Sequence, residues 1–182
     1  MKKLAALLLC SIALGGSLEW SNLNKQQRIN AIEIYKISKP HNLAETMISI
    51  AWQESRLGLI PINISDPSCG VHHINLKTFL RLKGKPDNIT NRNYYCNRLI
   101  QDINLSTNTA IEVFNTFKSY HNGNHSLAII SYNAGFNTRN MQGIEYAHSV
   151  KKNMLKSKKI VERIESILKL ETMLKLLVKG TK

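Results

Sequence analysis

Acidic residues are scarce in this chain: 12 Asp and Glu stand against 25 Lys and Arg, a formal net charge of +13. That balance favours polyanionic surroundings, which means nucleic acid, anionic lipid or a cell wall rich in carboxylates and phosphates. Repeats and low-complexity tracts are absent, and the apolar fraction is an ordinary 43%, so disorder is excluded for most of the chain. Convincing strand alternation is absent too, which argues against a β fold. The one histidine pair four residues apart, His121 and His125, spans the turn His121-Asn122-Gly123-Asn124 and not a helix, and the three cysteines are too few and too scattered for a zinc array. The expected cofactor and metal content is none.

Long apolar runs are also missing. Leu4 to Leu14 is the longest, too short to span a bilayer, and Lys2 and Lys3 precede it while Ala13-Leu14-Gly15 follows. Basic start, short apolar stretch and small-residue exit are the layout of a secretory signal peptide, expected over residues 1–16. An N-terminal helix or uncleaved anchor is the alternative. The expected protein is therefore exported, to the periplasm or beyond, and soluble once processed. Loss of the leader removes Cys10 and leaves Cys69 and Cys96, an even pair in an oxidising compartment. A bridge between them would close a loop of about 28 residues, contributing roughly 3–4 kcal/mol in the chain-entropy model; two free buried thiols are the alternative.

What is present reads as helix. Ile29, Ile32, Tyr35 and Ile37 suggest a first helix ending before Pro40. Asn42 as a cap, Glu45 in the first turn, and Ala44, Met47, Ile48, Ala51 and Trp52 as one apolar face predict a second, running to about Arg56 and stopping near Gly58. Gly58 to Asn75, with Pro61, Pro67 and Gly70, reads as an irregular loop. A short helix over Leu76 to Leu82 and a loop over Lys83 to Asn93 follow. A longer helix is expected from Tyr94 to Phe117 with a break near Ser106, then one from Leu127 to Ala134 ended by Gly135. The expected fold is all-α, a single domain over residues 17–150. Residues 151–182 hold ten Lys and Arg against three Glu, a net of +7, and Ile160, Ile164, Ile167, Leu168, Leu174 and Val178 recur at helical spacing. This basic amphipathic tail is expected either to dock as a final helix, or to contact anionic membrane or wall polymer, or to bind a partner helix.

Among the carboxylates, Glu54 stands out. It falls at the end of the second predicted helix, near Trp52 and just before Ser55. Loss of solvent disfavours a charged carboxyl, and the helix C-terminus adds negative potential, so a group there is placed to hold its proton. A protonated carboxyl can donate to a leaving oxygen, the task of a glycosidase's general acid. Further along come Gly70-Val71-His72-His73, Ser131-Tyr132-Asn133-Ala134-Gly135 and Tyr146, each at a helix end or in a loop. Asn133 interrupts an apolar helix end, and an amide buried there would need partners such as a substrate groove supplies.

These groups, in this order over about Leu43 to Val150, resemble the soluble lytic transglycosylases, relatives of goose-type lysozyme, whose motifs read Glu-Ser, Gly-Leu-Met-Gln-Ile, Ala-Tyr-Asn-Ala-Gly and a late Tyr. The resemblance implies a lysozyme-like fold and cleavage of peptidoglycan glycan strands. It implies Glu54 as catalytic acid and then base. Ser55 would support it or the bound sugar; Gly70, Val71 and His73 would form the loop beneath the glycan. Tyr132, Asn133 and Ala134 would line the groove, and Tyr146 would orient Glu54. The chain departs from the pattern at His72-His73, where the family has Met-Gln.

A hydrolase of the usual kind needs two carboxylates about 5–9.5 Å apart. Only Asp66 is available in the loop after Glu54. The resemblance implies a chemistry that manages with one, closing a 1,6-anhydro ring on the sugar. A hydrolytic muramidase using Asp66 and a wall-binding protein with decayed catalysis are the alternatives. Nucleic acid is not an expected partner, since the domain carries no recognition motif, and the expected state is a monomer.

Overall fold

The computed structural model describes residues 17–180; the expected leader lies outside the described residues. Seven α-helices are described: α1 (Lys25–Ser38), α2 (Ala44–Ser55), α3 (Leu76–Leu82), α4 (Ile89–Gln101), α5 (Ile103–Tyr120), α6 (His125–Ala134) and α7 (Met141–Gly180). Single 3-10 turns stand at Trp20–Asn22 and Lys39–His41. Side-chain caps explain most of the starts. Asn24, Asn75, Asn88 and Asn124 each accept from a backbone N–H in the first turn of α1, α3, α4 and α6, and Asp102 does the same for α5. At α1 the Gln27 side chain answers back to the Asn24 N–H, completing a capping box. Such caps begin α4 at Ile89, before the expected Tyr94, and put the break at Asp102 instead of near Ser106.

The start of α2 differs from expectation. Asn42 is left-handed (φ 56°) and ends the preceding 3-10 turn, while Leu43 occupies the cap position with no side-chain bond. No cap is needed, because burial holds this helix. Met47, Ile48, Ile50 and Ala51 are fully buried, and so is Ser49. A helix enclosed on every side belongs at the centre of a fold. Its polar side chains are matched: Thr46 Oγ1 lies 3.0 Å from His125 Nε2, and Ser49 Oγ 2.8 Å from Ser157 Oγ on α7.

The expected irregular loop between Gly58 and Asn75 holds a small antiparallel sheet, β1 (Ile62–Asn63), β2 (Ser68–Cys69) and β3 (Ile74–Asn75), in that order. Ile62 pairs Cys69, which pairs Ile74. Two-residue strands carry no period that a sequence reading can detect. Cys69 and Cys96 form a disulfide, Cα to Cα 5.2 Å, that ties β2 to α4.

The compositional shift at Lys151 falls inside α7, a single helix of 40 residues. Ser157, Ile160, Val161 and Ile164 are buried in the core, and Glu165 takes the Tyr35 hydroxyl at 3.0 Å and the Lys39 ammonium. From Lys169 to Val178 every residue is exposed. Among the described residues no helix is long and apolar enough to cross a membrane.

His72, between β2 and β3, is fully buried with neither ring nitrogen hydrogen-bonded. Burial pushes its pKa down to about 3. The unfolded chain binds this proton near the ordinary value of 6.5, so stability is full above that and is lost as pH falls toward 3. The slope approaches roughly 1.4 kcal/mol per pH unit in that window. Half-buried His125, lowered by desolvation, acts in the same direction. The expected outcome is that His72→Met melts higher than the parent below pH 6, with a gap that widens down to pH 4. Thermal melts across that range measure it; a constant gap refutes it.

Candidate active site

The last turn of α2 delivers Glu54 and Ser55 to a sharp exit. Arg56, Leu57 and Gly58 follow with φ of 53°, 57° and 89°, three successive left-handed residues of which only the third is glycine. Such a run costs about 1–2 kcal/mol for each non-glycine member and persists only where surroundings hold it. Two side chains of α1 hold it here: Gln27 Nε2 donates to the Arg56 carbonyl and Asn30 Nδ2 to the Leu57 carbonyl, both at 2.8 Å. Neither was singled out from the sequence, because their partners lie 29 and 27 residues away.

Ser55 is fully buried, and its hydroxyl donates to the Val71 carbonyl at 2.6 Å while accepting the Gly58 N–H at 2.8 Å. Glu54 points the other way. Its side chain keeps 17% exposure, enough to be reached from outside and too little to be freely hydrated. Tyr146, in the second turn of α7, donates its hydroxyl to Glu54 Oε1 at 2.6 Å. His73 places Nδ1 3.4 Å from Glu54 Oε2. Trp52, two positions earlier and so on another face of the helix, stacks under the Arg56 guanidinium at 4.8 Å. The aromatic groups beside the carboxyl come from other elements.

Tyr132 sits at the end of α6, its ring half-buried and its hydroxyl donating to the His72 carbonyl at 3.2 Å. Burial, reinforced by the Glu54 charge, pushes the Tyr132 and Tyr146 hydroxyls well above their ordinary range, so both stay protonated donors. Glu54, His73, Tyr132 and Tyr146 thus meet at one mouth, drawn from α2, the β2–β3 turn, α6 and α7.

The other residues take different places. Gly70 has φ 85°, and a Cβ there would come within 2.6 Å of the Leu99 carbonyl oxygen and 2.7 Å of Ser106 Oγ. The approach that demands glycine is therefore to the α4–α5 junction. Val71 is buried with its carbonyl on Ser55. Asn133 is exposed, so the amide expected to be buried faces water. Ala134 lies against α7 at Gly143, where a Cβ would come within 2.6 Å of its own. Gly143 went unnoticed in the sequence, yet it allows the close α6–α7 crossing one turn before Tyr146. Asp66, in the exposed β1–β2 turn, accepts from Asn75 Nδ2 at 3.0 Å. Among the described residues no group of three or more His, Cys, Asp or Glu is gathered to hold a metal ion.

A buried central helix ending on a half-shielded carboxyl, inside a mainly helical shell with a small sheet, is a lysozyme-like architecture. The model of the transglycosylase SLT domain matches residues 32–155, well over half the chain, and the chain belongs to that family of peptidoglycan lytic transglycosylases. The match begins in α1 and ends inside α7, enclosing every element that contributes to the mouth. No curated protein and no solved structure matches the chain.

The Tyr146–Glu54 bond generates a direct expectation. A hydrogen bond to a charged group contributes about 1.5–3 kcal/mol. Tyr146→Phe is expected to lower kcat roughly 10- to 100-fold while the melting temperature moves by only a few degrees, as turnover and thermal melts of the purified variant would show. An unchanged kcat contradicts it.

Proposed function

We propose that this protein cleaves the β-1,4 bond between N-acetylmuramic acid and N-acetylglucosamine, with Glu54 as both acid and base. The observation that carries the reading is the held yet reachable carboxyl, gripped by Tyr146 at 2.6 Å and still 17% exposed. Glu54 protonates the bridging oxygen, and the bond to C1 breaks with the sugar's own N-acetyl group stabilising the cation. The carboxylate then removes the proton of the C6 hydroxyl, whose oxygen attacks C1 and closes the 1,6-anhydro ring. The proton Glu54 gave is recovered, and no water is consumed. A single carboxyl suffices, consistent with Asp66 being engaged by Asn75 in its turn. In this scheme Ser55 acts as support for the Glu54 helix end. His73 and Tyr132 face the glycan beside Glu54, Gly70 and Val71 shape the turn that carries His73, and Asn133 and Ala134 close the end of α6 next to Tyr132. Action outside the cytoplasm, in the periplasm or beyond, suits both the disulfide and the substrate.

Mass spectrometry of glycan fragments tests the chemistry. The parent is expected to release 1,6-anhydro ends, and Glu54→Gln to bind glycan yet release none. Reducing ends would instead favour the muramidase reading, and absence of any product from the parent a wall-binding one.

The far end of α7 suits an anionic bilayer surface. Leu170, Met173 and Leu174 are 59%, 51% and 61% exposed beside Lys169 and Lys175. Burying one Leu or Met side chain contributes about 1.5–3 kcal/mol, and each Lys near an anionic surface about 1 kcal/mol. A wall polymer would satisfy the lysines but leave the apolar residues in water. The full chain is expected to co-sediment with phosphatidylglycerol-containing vesicles and not with phosphatidylcholine ones. Replacing Leu170, Met173 and Leu174 together by Glu is expected to weaken that roughly tenfold or more. Equal sedimentation of the triple variant, or binding to isolated wall alone, overturns this assignment.

A further inference from the structure

The ring of His73 has one orientation set by its partners. Its Nε2 lies 2.7 Å from the Ile60 carbonyl oxygen. A carbonyl can only accept, so Nε2 carries a hydrogen, and in the neutral ring Nδ1 is then a bare acceptor. That acceptor faces Glu54 Oε2 at 3.4 Å, and an ionised carboxylate is acceptor-only as well. Two acceptors face to face, on side chains 7% and 17% exposed, repel in a site with little water to separate them. One proton between them removes the conflict. It sits either on Oε2, donating to Nδ1, or on Nδ1, donating to the carboxylate.

No other neighbour described at the pair supplies that proton. From α7, Tyr146 already gives its single hydrogen to Oε1. From α6, Tyr132 gives its own to the His72 carbonyl. His72, adjacent in the chain, is neutral in the core. Arg56, next after Ser55, lays its guanidinium on the Trp52 ring. The backbone fits the purpose. His73 closes the β2–β3 turn with φ 44° and its N–H on the Gly70 carbonyl at 3.2 Å. Left-handed φ is uncommon outside glycine, asparagine, aspartate and histidine.

We propose that His73 and Glu54 hold one proton in common, making His73 the positioning residue that keeps this proton on the pair with the acid. The inference rests on Glu54 being the acid, and it gives a function to the histidine that stands where the family motif has glutamine. A glutamine amide would donate to the carboxylate and favour its ionised form with no proton to exchange; an imidazole with Nε2 tied up has an Nδ1 that can take or return the shared one. The pair releases its last proton as a unit, so the alkaline limb of activity belongs to the pair. The proton count of His73 is unchanged over a full turnover, because Glu54 gives one proton to the leaving oxygen and takes one from the C6 hydroxyl.

The test is the pH profile of peptidoglycan cleavage by the parent, His73→Gln and His73→Asn, with Glu54→Gln alongside. The asparagine variant suits a left-handed position should the glutamine one fold poorly. Whatever happens to the maximal rate, the alkaline limb is expected to move to lower pH by about one unit in both variants. A uniform loss at every pH, with the limb unmoved and Glu54→Gln dead, leaves Glu54 as the acid and overturns the shared proton. Full activity of Glu54→Gln overturns the acid assignment and this inference with it.

Discussion

The buried hydroxyl of Ser55 is the joint on which the site depends. With one hydrogen and one lone pair it binds the Val71 carbonyl and the Gly58 amide, at 2.6 and 2.8 Å. Those two bonds fasten the end of the central helix to the β2–β3 turn on one side and to its own left-handed exit on the other. The turn carries His73 and the helix end carries Glu54, so their separation is governed by a residue that is itself wholly buried. A wholly buried hydroxyl with both capacities filled is hard to replace, because removal of either partner strands a polar group in the core.

Around that joint the fold divides labour between rigidity and access. The helix bearing Glu54 is enclosed by apolar packing along its length, which removes the freedom that would blur the carboxyl's position. At the site, left-handed backbone falls at Arg56–Gly58 and at His73, where it turns the chain within a few residues. α1 compensates at the helix exit through Gln27 and Asn30, and the disulfide holds β2 against α4, so the turn that faces Glu54 is anchored at its β2 end. α7 changes surroundings twice along one rod. Its start supplies Tyr146, its middle completes the core, and its last ten described side chains stand outside it.

The adjacent histidines show how little type and position say without packing. His72 enters the core and is held neutral; His73 turns outward to the carboxyl. In an extended or turning chain neighbouring side chains diverge, and here the divergence separates a stability determinant from a site residue. Gly70 teaches the same lesson, since what excludes a side chain is the Leu99 carbonyl, far along the chain.

Several features were legible locally. The short helix from Leu76 to Leu82, the stop at Gly58 and the end at Gly135 follow from capping and periodicity, which act over one or two turns. The ordered appearance of Glu54, Tyr132 and Tyr146 pointed to one family, and the remaining cysteine pair to a bridge. Packing alone decided the rest. It made a sheet from strands too short to show a period, ran α7 unbroken through a change of charge, turned Asn133 to water, and set Tyr146 against a carboxyl 92 residues earlier. The reason is range: caps and periods are written in neighbouring residues, whereas a contact across the fold exists only once the chain between its ends has been placed.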